Sequence, residues 1–202
     1  MNQDDPEEQG PETCPLCDGA PRQTIQEDDH ERLEVACDVC GKYRITEEAR
    51  QSLGFVTADV KRRLSSVVRR HVELTGRAEL ITTDNYETLA SSAPDNNDVP
   101  AKIRYLLSHI ARKSQFPGDR IGLDAHTDYP VCFADNADEF SFYAEHVKEA
   151  DFVDGEMLGK DRRYEYWLTP KGWQEIERLP RSILQMPSLQ CLSRRPVAMR
   201  PF

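Results

Sequence analysis

Four of the six cysteines fall into two pairs, Cys14-Pro15-Leu16-Cys17 and Cys37-Asp38-Val39-Cys40, with 19 residues between them. A C-x-x-C turn presents two thiolates to one side of a point, and a second pair completes the tetrahedron that a soft divalent metal requires. Gly19 and Gly41 follow the pairs closely and let the backbone turn tightly around an ion. The spacing predicts one structural Zn2+ held by Cys14, Cys17, Cys37 and Cys40. Four protein thiolates leave no coordination position open for a substrate, so such a site builds a folded binding module rather than a reaction centre. Of the two remaining cysteines, Cys132 lies between Val131 and Phe133 and reads as a small buried hydrophobe.

Other chemistry is sparse. The chain has no H-E-x-x-H and no G-x-S-x-G, the signatures of zinc proteases and of serine hydrolases. The run Gly155-Glu156-Met157-Leu158-Gly159-Lys160-Asp161 is one residue short of a phosphate loop and has Asp161 where a hydroxyl would hold magnesium. Histidines 30, 71, 109, 126 and 146 are scattered. Asp124, His126 and Asp128 alternate and offer metal-type donors. Their plainer reading is turn chemistry ahead of a buried strand, Val131-Cys132-Phe133. The expectation is a protein that is not an enzyme.

The 202 residues carry 36 acidic and 26 basic side chains, a net charge of -10, which lowers the expectation of nucleic-acid binding. No apolar run approaches the length of a membrane span. Met1-Asn2-Gln3-Asp4-Asp5 does not open a signal peptide. A cytoplasmic protein with no membrane partner is expected, and in that compartment paired cysteines favour metal over disulfides. The charge is uneven. Residues 60–78 hold Lys61, Arg62, Arg63, Arg69, Arg70 and Arg77 against Glu73 alone, and residues 180–202 hold four arginines and no acid.

These residues need elements to position them, and the pattern predicts an α+β chain. Residues 1–12 read as a disordered acidic tail. Residues 13–45 form a small four-cysteine zinc ribbon, with a hairpin between Arg22–Ile25 and Leu33–Ala36 and a strand at Lys42–Ile45. Residues 46–92 form a helical connector. Thr46 and Thr57 cap its two helices, and the second sets Val60, Leu64, Val67 and Val68 on one face and Arg62, Arg63, Arg69 and Arg70 on the other. Asp84 with Glu87 reads as a capping box for a short third helix. Residues 91–98 break the pattern. Residues 98–179 then read as helix, short strand, helix, two-stranded hairpin and helix, a winged-helix-like order. Prolines 180, 187, 196 and 201 make 180–202 an irregular tail.

Cys-Pro-Leu-Cys-Asp-Gly (14–19) and Cys-Asp-Val-Cys-Gly-Lys-Tyr (37–43) resemble the knuckles of zinc-ribbon proteins. Leu168-Thr169-Pro170-Lys171-Gly172 resembles the end of many bacterial winged-helix domains, where the wing strand runs into the last helix. The arrangement is similar to the N-terminal part of uncharacterised bacterial multidomain proteins that continue into a nucleoside-deoxyribosyltransferase-like or TIR-like domain. The resemblance implies an effector domain that this chain, ending after Arg195-Pro196-Val197-Ala198-Met199-Arg200-Pro201-Phe202, does not contain. The function it implies is a non-catalytic zinc-binding regulatory or sensory module, whose partner is another protein or the missing effector domain. The alternative is a DNA-binding transcriptional regulator that uses the wing (Lys160, Arg162, Arg163) and the basic helix (Arg62, Arg63, Arg69, Arg70). The helix in the recognition position, 137–150, carries Asp138, Glu139, Glu145 and Glu149 against Lys148, a face that repels phosphates.

Overall fold

The computed structural model describes residues 13–26 and 31–179. The expected tails at 1–12 and 180–202 and the hairpin tip 27–30, with His30, lie outside them. The described residues form an α+β fold of seven α-helices and two sheets.

The first sheet begins as an antiparallel meander of β1 (Gln23–Gln26), β2 (Arg32–Cys37) and β3 (Gly41–Thr46), with Thr24 opposite Val35 and Val35 opposite Tyr43. Alternation puts Leu33, Val35, Tyr43 and Ile45 on the buried side. Two helices follow, α1 (Glu47–Leu53) and α2 (Ala58–Thr75). Thr46 and Thr57 accept hydrogen bonds from the Ala49 and Val60 amides, as the capping pattern predicts. Gly76 ends α2 in the left-handed conformation. The chain then returns to the sheet as β4 (Glu79–Ile81), parallel to β3, with Ile81 beside Ile45. The sheet that carries the cysteine pairs therefore takes in residues well beyond 45. Leu64, Val67 and Val68 of α2 share its core. α3 (Tyr86–Ser91) does not use the expected Asp84 capping box. Asn85 precedes it, and the Asn85 amide instead bridges the Thr82 N–H and the Leu80 carbonyl.

The second half comprises α4 (Val99–Lys113), β5 (Ile121–Asp124), α5 (Ala125–Asp128), a 3-10 turn (Tyr129–Cys132), α6 (Ala137–Glu149), β6 (Val153–Leu158), β7 (Arg163–Leu168) and α7 (Pro170–Arg178). Its sheet is antiparallel with strand order β5-β7-β6. Leu106, Leu107, Ile110, Phe140, Val147 and Tyr164 are among the side chains that fill its core. The strand expected at Val131–Phe133 is not formed. Pro130 has no N–H to give to a sheet, the segment winds as the 3-10 turn, and the strand lies earlier, where Ile121 and Leu123 alternate inward. Thr169 caps α7, accepting from the Gly172 amide. A Cβ on Gly172 would stand 2.0 Å from the Phe152 carbonyl oxygen, so only glycine lets the first turn of α7 close on the α6–β6 connection.

The two halves share contacts. Phe133, at φ 61°, lies in the first core, and its ring stands 4.8 Å from that of Tyr105. Among the described residues, no helix is long and apolar enough to cross a membrane.

Candidate metal centre

Two turns and two elements bring the four cysteines together. The first knuckle folds on itself: the Cys14 amide donates to the Gly19 carbonyl and the Asp18 amide to that of Cys14. The second knuckle is the turn between β2 and β3, whose end residues Cys37 and Gly41 are register partners. Gly41 has φ 74°, and a Cβ there would meet Val72 of α2 at 2.9 Å. Glycine at this position thus serves helix packing as well as the turn.

The four sulfurs lie within 4.8 Å of one another. Cys14 and Cys40 are 3.7 Å apart, and Cys17 and Cys37 are 3.5 Å apart. Metal–sulfur bonds of about 2.3 Å in a tetrahedron put sulfurs about 3.8 Å apart, so the donor set fits one metal ion without rearrangement. Hydrogen bonding splits the thiols. The bond with Cys17 brings Cys14 down to about 7, and the bond with Cys14 is the first cause holding Cys37 below the ordinary thiol range. Cys17 and Cys40 are held above it, each through its bond to Cys14 first. A protein-only cluster thus retains protons that a divalent cation would displace.

Two hydroxyls support the sulfurs. Tyr43 Oη is 3.1 Å from Cys14 Sγ, and Ser65 Oγ is 3.1 Å from Cys40 Sγ. Burial first, then the neighbouring Cys14 and Cys40 sulfurs, pushes the Tyr43 phenol well up, so it stays protonated and donates to the sulfur. Partners of this kind tune a metal site. Tyr43→Phe, which keeps the packing, is expected to weaken metal affinity about ten- to a hundredfold. Competition with a chromophoric chelator measures it, and unchanged affinity would remove Tyr43 from the site. The pattern held a signal for both residues: position 43 alternates inward with Ile45, and Ser65 interrupts the apolar face between Leu64 and Val67.

The basic helix is not an exposed face. Arg70 is only 2 % exposed. Its guanidinium lies 4.2 Å over the Tyr105 ring, and one nitrogen reaches the Val131 carbonyl. Burial first, then the charge of Arg112, brings it down to about 10, still charged at neutral pH. Arg69 donates to the Asp38 carbonyl between the second pair of cysteines, to Glu73 and to Asp128. Arg62 pairs with Asp59 and Asp135, and Arg63 with Asp59. The physical reason is position: both faces of α2 are covered, one by the first sheet and the other by α4 and the 3-10 turn of the second half. On the hairpin, Arg162 pairs with Asp138 and Arg163 with Asp124, and Lys160 is exposed.

Asp124, His126 and Asp128 do not converge on an ion. Asp124 caps α5 by accepting from the His126 amide, Asp128 accepts from Arg69 and from the Asp124 amide, and His126 is exposed. Among the described residues, the four cysteines form the one cluster with metal-binding geometry. Compared with protein-family models, with the curated proteins and with solved structures, the chain matches none of them.

Proposed function

We propose that the chain is a non-catalytic zinc-binding regulatory module that works through protein contacts. Zinc is the metal the donor set favours, since four thiolates in a tetrahedron suit a soft, redox-inert cation and leave no open position. The order of elements α4, β5, α5, α6, β6, β7 and α7, with sheet order β5-β7-β6, supports reading this half as winged-helix-like, with α6 as the recognition helix and β6–β7 as the wing.

The observation that carries the functional reading is the outward side of α6. It exposes Asp138, Glu145 and Glu149 around Phe142. A helix that enters a DNA groove needs the opposite sign. The cations of the competing DNA-binding reading are mostly committed to carboxylates and carbonyls of the chain itself. Fluorescence anisotropy with labelled duplex DNA at about 50 mM salt, where phosphate contacts are strong, is expected to show no binding by the metal-loaded protein. Micromolar binding that weakens steeply with added salt would establish the DNA-binding alternative instead.

A further inference from the structure

The cysteine cluster has an inner and an outer side. Two sulfur pairs join the knuckles, Cys14 with Cys40 and Cys17 with Cys37. Cys14 and Cys40 form the inner pair. Both are fully buried, and each sulfur has a hydroxyl 3.1 Å away, Tyr43 on Cys14 and Ser65 on Cys40. A hydroxyl that donates to a thiolate takes up part of its charge and leaves it a poorer nucleophile. Cys17 and Cys37 form the outer pair. Cys17 is half-buried, and among the described residues neither sulfur of this pair has a hydroxyl partner. Cys37 also lines an opening of about 540 Å³, together with Asp38, Arg69 and, from the second half, Asp124. Solvent-borne molecules thus reach the outer pair and not the inner one. Separation hardly distinguishes the pairs, at 3.7 Å and 3.5 Å; their surroundings do.

We infer that the outer pair is an oxidant-sensitive latch: a hydroperoxide converts Cys17 and Cys37 to a disulfide and so frees the metal, while Cys14 and Cys40 remain thiols. The inference rests on the reading of the chain as a zinc-binding regulatory module and names what regulates it. Metal coordination keeps the sulfurs as thiolates, the nucleophilic form. The Cys17 thiolate, the more accessible of the two, attacks the terminal oxygen of the hydroperoxide. An S–O bond forms, the O–O bond breaks, and the other oxygen leaves as hydroxide or alkoxide, so that Cys17 becomes a sulfenic acid. The Cys37 thiolate, 3.5 Å away, then attacks that sulfur, at about the separation of groups held ready to react. The S–S bond forms and the oxygen leaves as hydroxide. Two thiolates have lost two electrons in all, and one peroxide has accepted them. With half its donors gone, the tetrahedron no longer holds an ion. A thiol reductant reverses the change by exchange. The second knuckle is also tied to the second half, because Arg69 donates both to the Asp38 carbonyl and to Asp128. A shift at Cys37 therefore acts on the contact between the halves.

The test uses the full, zinc-loaded chain carrying Cys191→Ser, so that no thiol outside the cluster competes except Cys132, which is fully buried. An equimolar amount of hydrogen peroxide is added, a chromophoric chelator follows the zinc, and mass spectrometry of alkylated peptides maps the disulfides. Zinc release and a Cys17–Cys37 disulfide should rise together, with Cys14 and Cys40 recovered as alkylated thiols. Dithiothreitol with added zinc should restore the starting state. Cys17→His, whose three cysteines and one histidine still suit zinc, should keep its metal through the same treatment. A first disulfide between Cys14 and Cys40, or within either C-x-x-C pair, overturns the inference. So does zinc release as fast from Cys17→His as from its parent, or zinc retained with all four thiols reduced. Such a failure, with no DNA bound in the anisotropy experiment, removes the latch and leaves the zinc-module reading standing. DNA binding removes that reading whatever peroxide does.

Discussion

Cys40→Ser is expected to cost the protein its metal and the order of β1–β3 together. Cys40 is fully buried, faces Cys14 and is hydrogen-bonded to Ser65, so a shorter, harder oxygen cannot take its place in a thiolate tetrahedron. Structural zinc contributes about 10 kcal/mol or more to small domains that cannot fold without it. The first knuckle has little else to hold it: of residues 13–20, only Cys14 and Leu16 are buried. Metal analysis should find one zinc in the native chain and none in the variant. Hydrogen exchange should show Leu33, Val35, Tyr43 and Ile45 losing protection, while the amides of α4 and α6, in a separate core, keep theirs. Zinc added to the metal-free native chain at neutral pH should release protons as the thiols become thiolates. A metal-free variant with native exchange protection would show that the cluster is incidental to the fold.

Glu73→Ala should be the most damaging change away from the cysteines. This carboxylate stands where the halves meet: it accepts from Arg69 and Arg112, and the His109 ring lies 2.9 Å away. Removing it leaves two guanidinium groups facing one another in a half-buried space, and breaking such a site costs about 3–5 kcal/mol. For a chain of this length that lowers Tm by about 10 °C, read by circular dichroism with metal in excess. An unchanged Tm would mean that water satisfies these groups as well as Glu73 does.

The pH dependence of this site has a definite sign. Burial acts to raise the Glu73 carboxyl, but the His109 hydrogen bond and the charges of His109 and Arg69 outweigh it and hold the group at about 2. Burial lowers His109, so at neutral pH the ring donates its Nδ1–H to Glu73, and Nε2 has no partner. Both groups bind protons more readily in the unfolded chain. Each therefore contributes stability that is complete above its unfolded value and is lost as pH falls, His109 from about 6.5 downward and Glu73 from about 4.5 toward 2. The cysteine cluster is the same in the native and Glu73→Gln proteins. The stability gap between them should therefore narrow across the lower window, and a constant gap would contradict the assignment.

Local chemistry made much of this fold legible. Thr46 and Thr57 are caps in sequence and in structure, because a cap depends on neighbours only a few residues away. The four-cysteine cluster was legible for a similar reason, since C-x-x-C is a local geometry repeated once. What was hidden depends on distant neighbours. Arg70 has the sequence context of an exposed cation, and only the packing of α2 against Tyr105 and Val131 buries it. Lys102 is likewise buried, paired with Glu139 from a helix 37 positions away. Val131 and Cys132 have strand propensity, but Pro130 and the docking of this turn on α2 override it. The pairing of Arg69 with Asp38 and Asp128 joins three segments that no periodicity connects.

Strand β4 has a consequence for how this protein can be inherited. Residues 79–81 fill the parallel edge of β3, so the cysteines and the strand that completes their sheet are separated by α1 and α2. A crossover that moved only codons 13–45 to another gene would deliver all four ligands without Ile81, and it would leave the β3 edge open to pair with any other exposed strand. The shortest stretch that keeps the cysteines with the strand completing their sheet runs through residue 81. It includes α2 and hence the arginines that grip the second half, which favours transmission of the two halves as a single block rather than as interchangeable pieces.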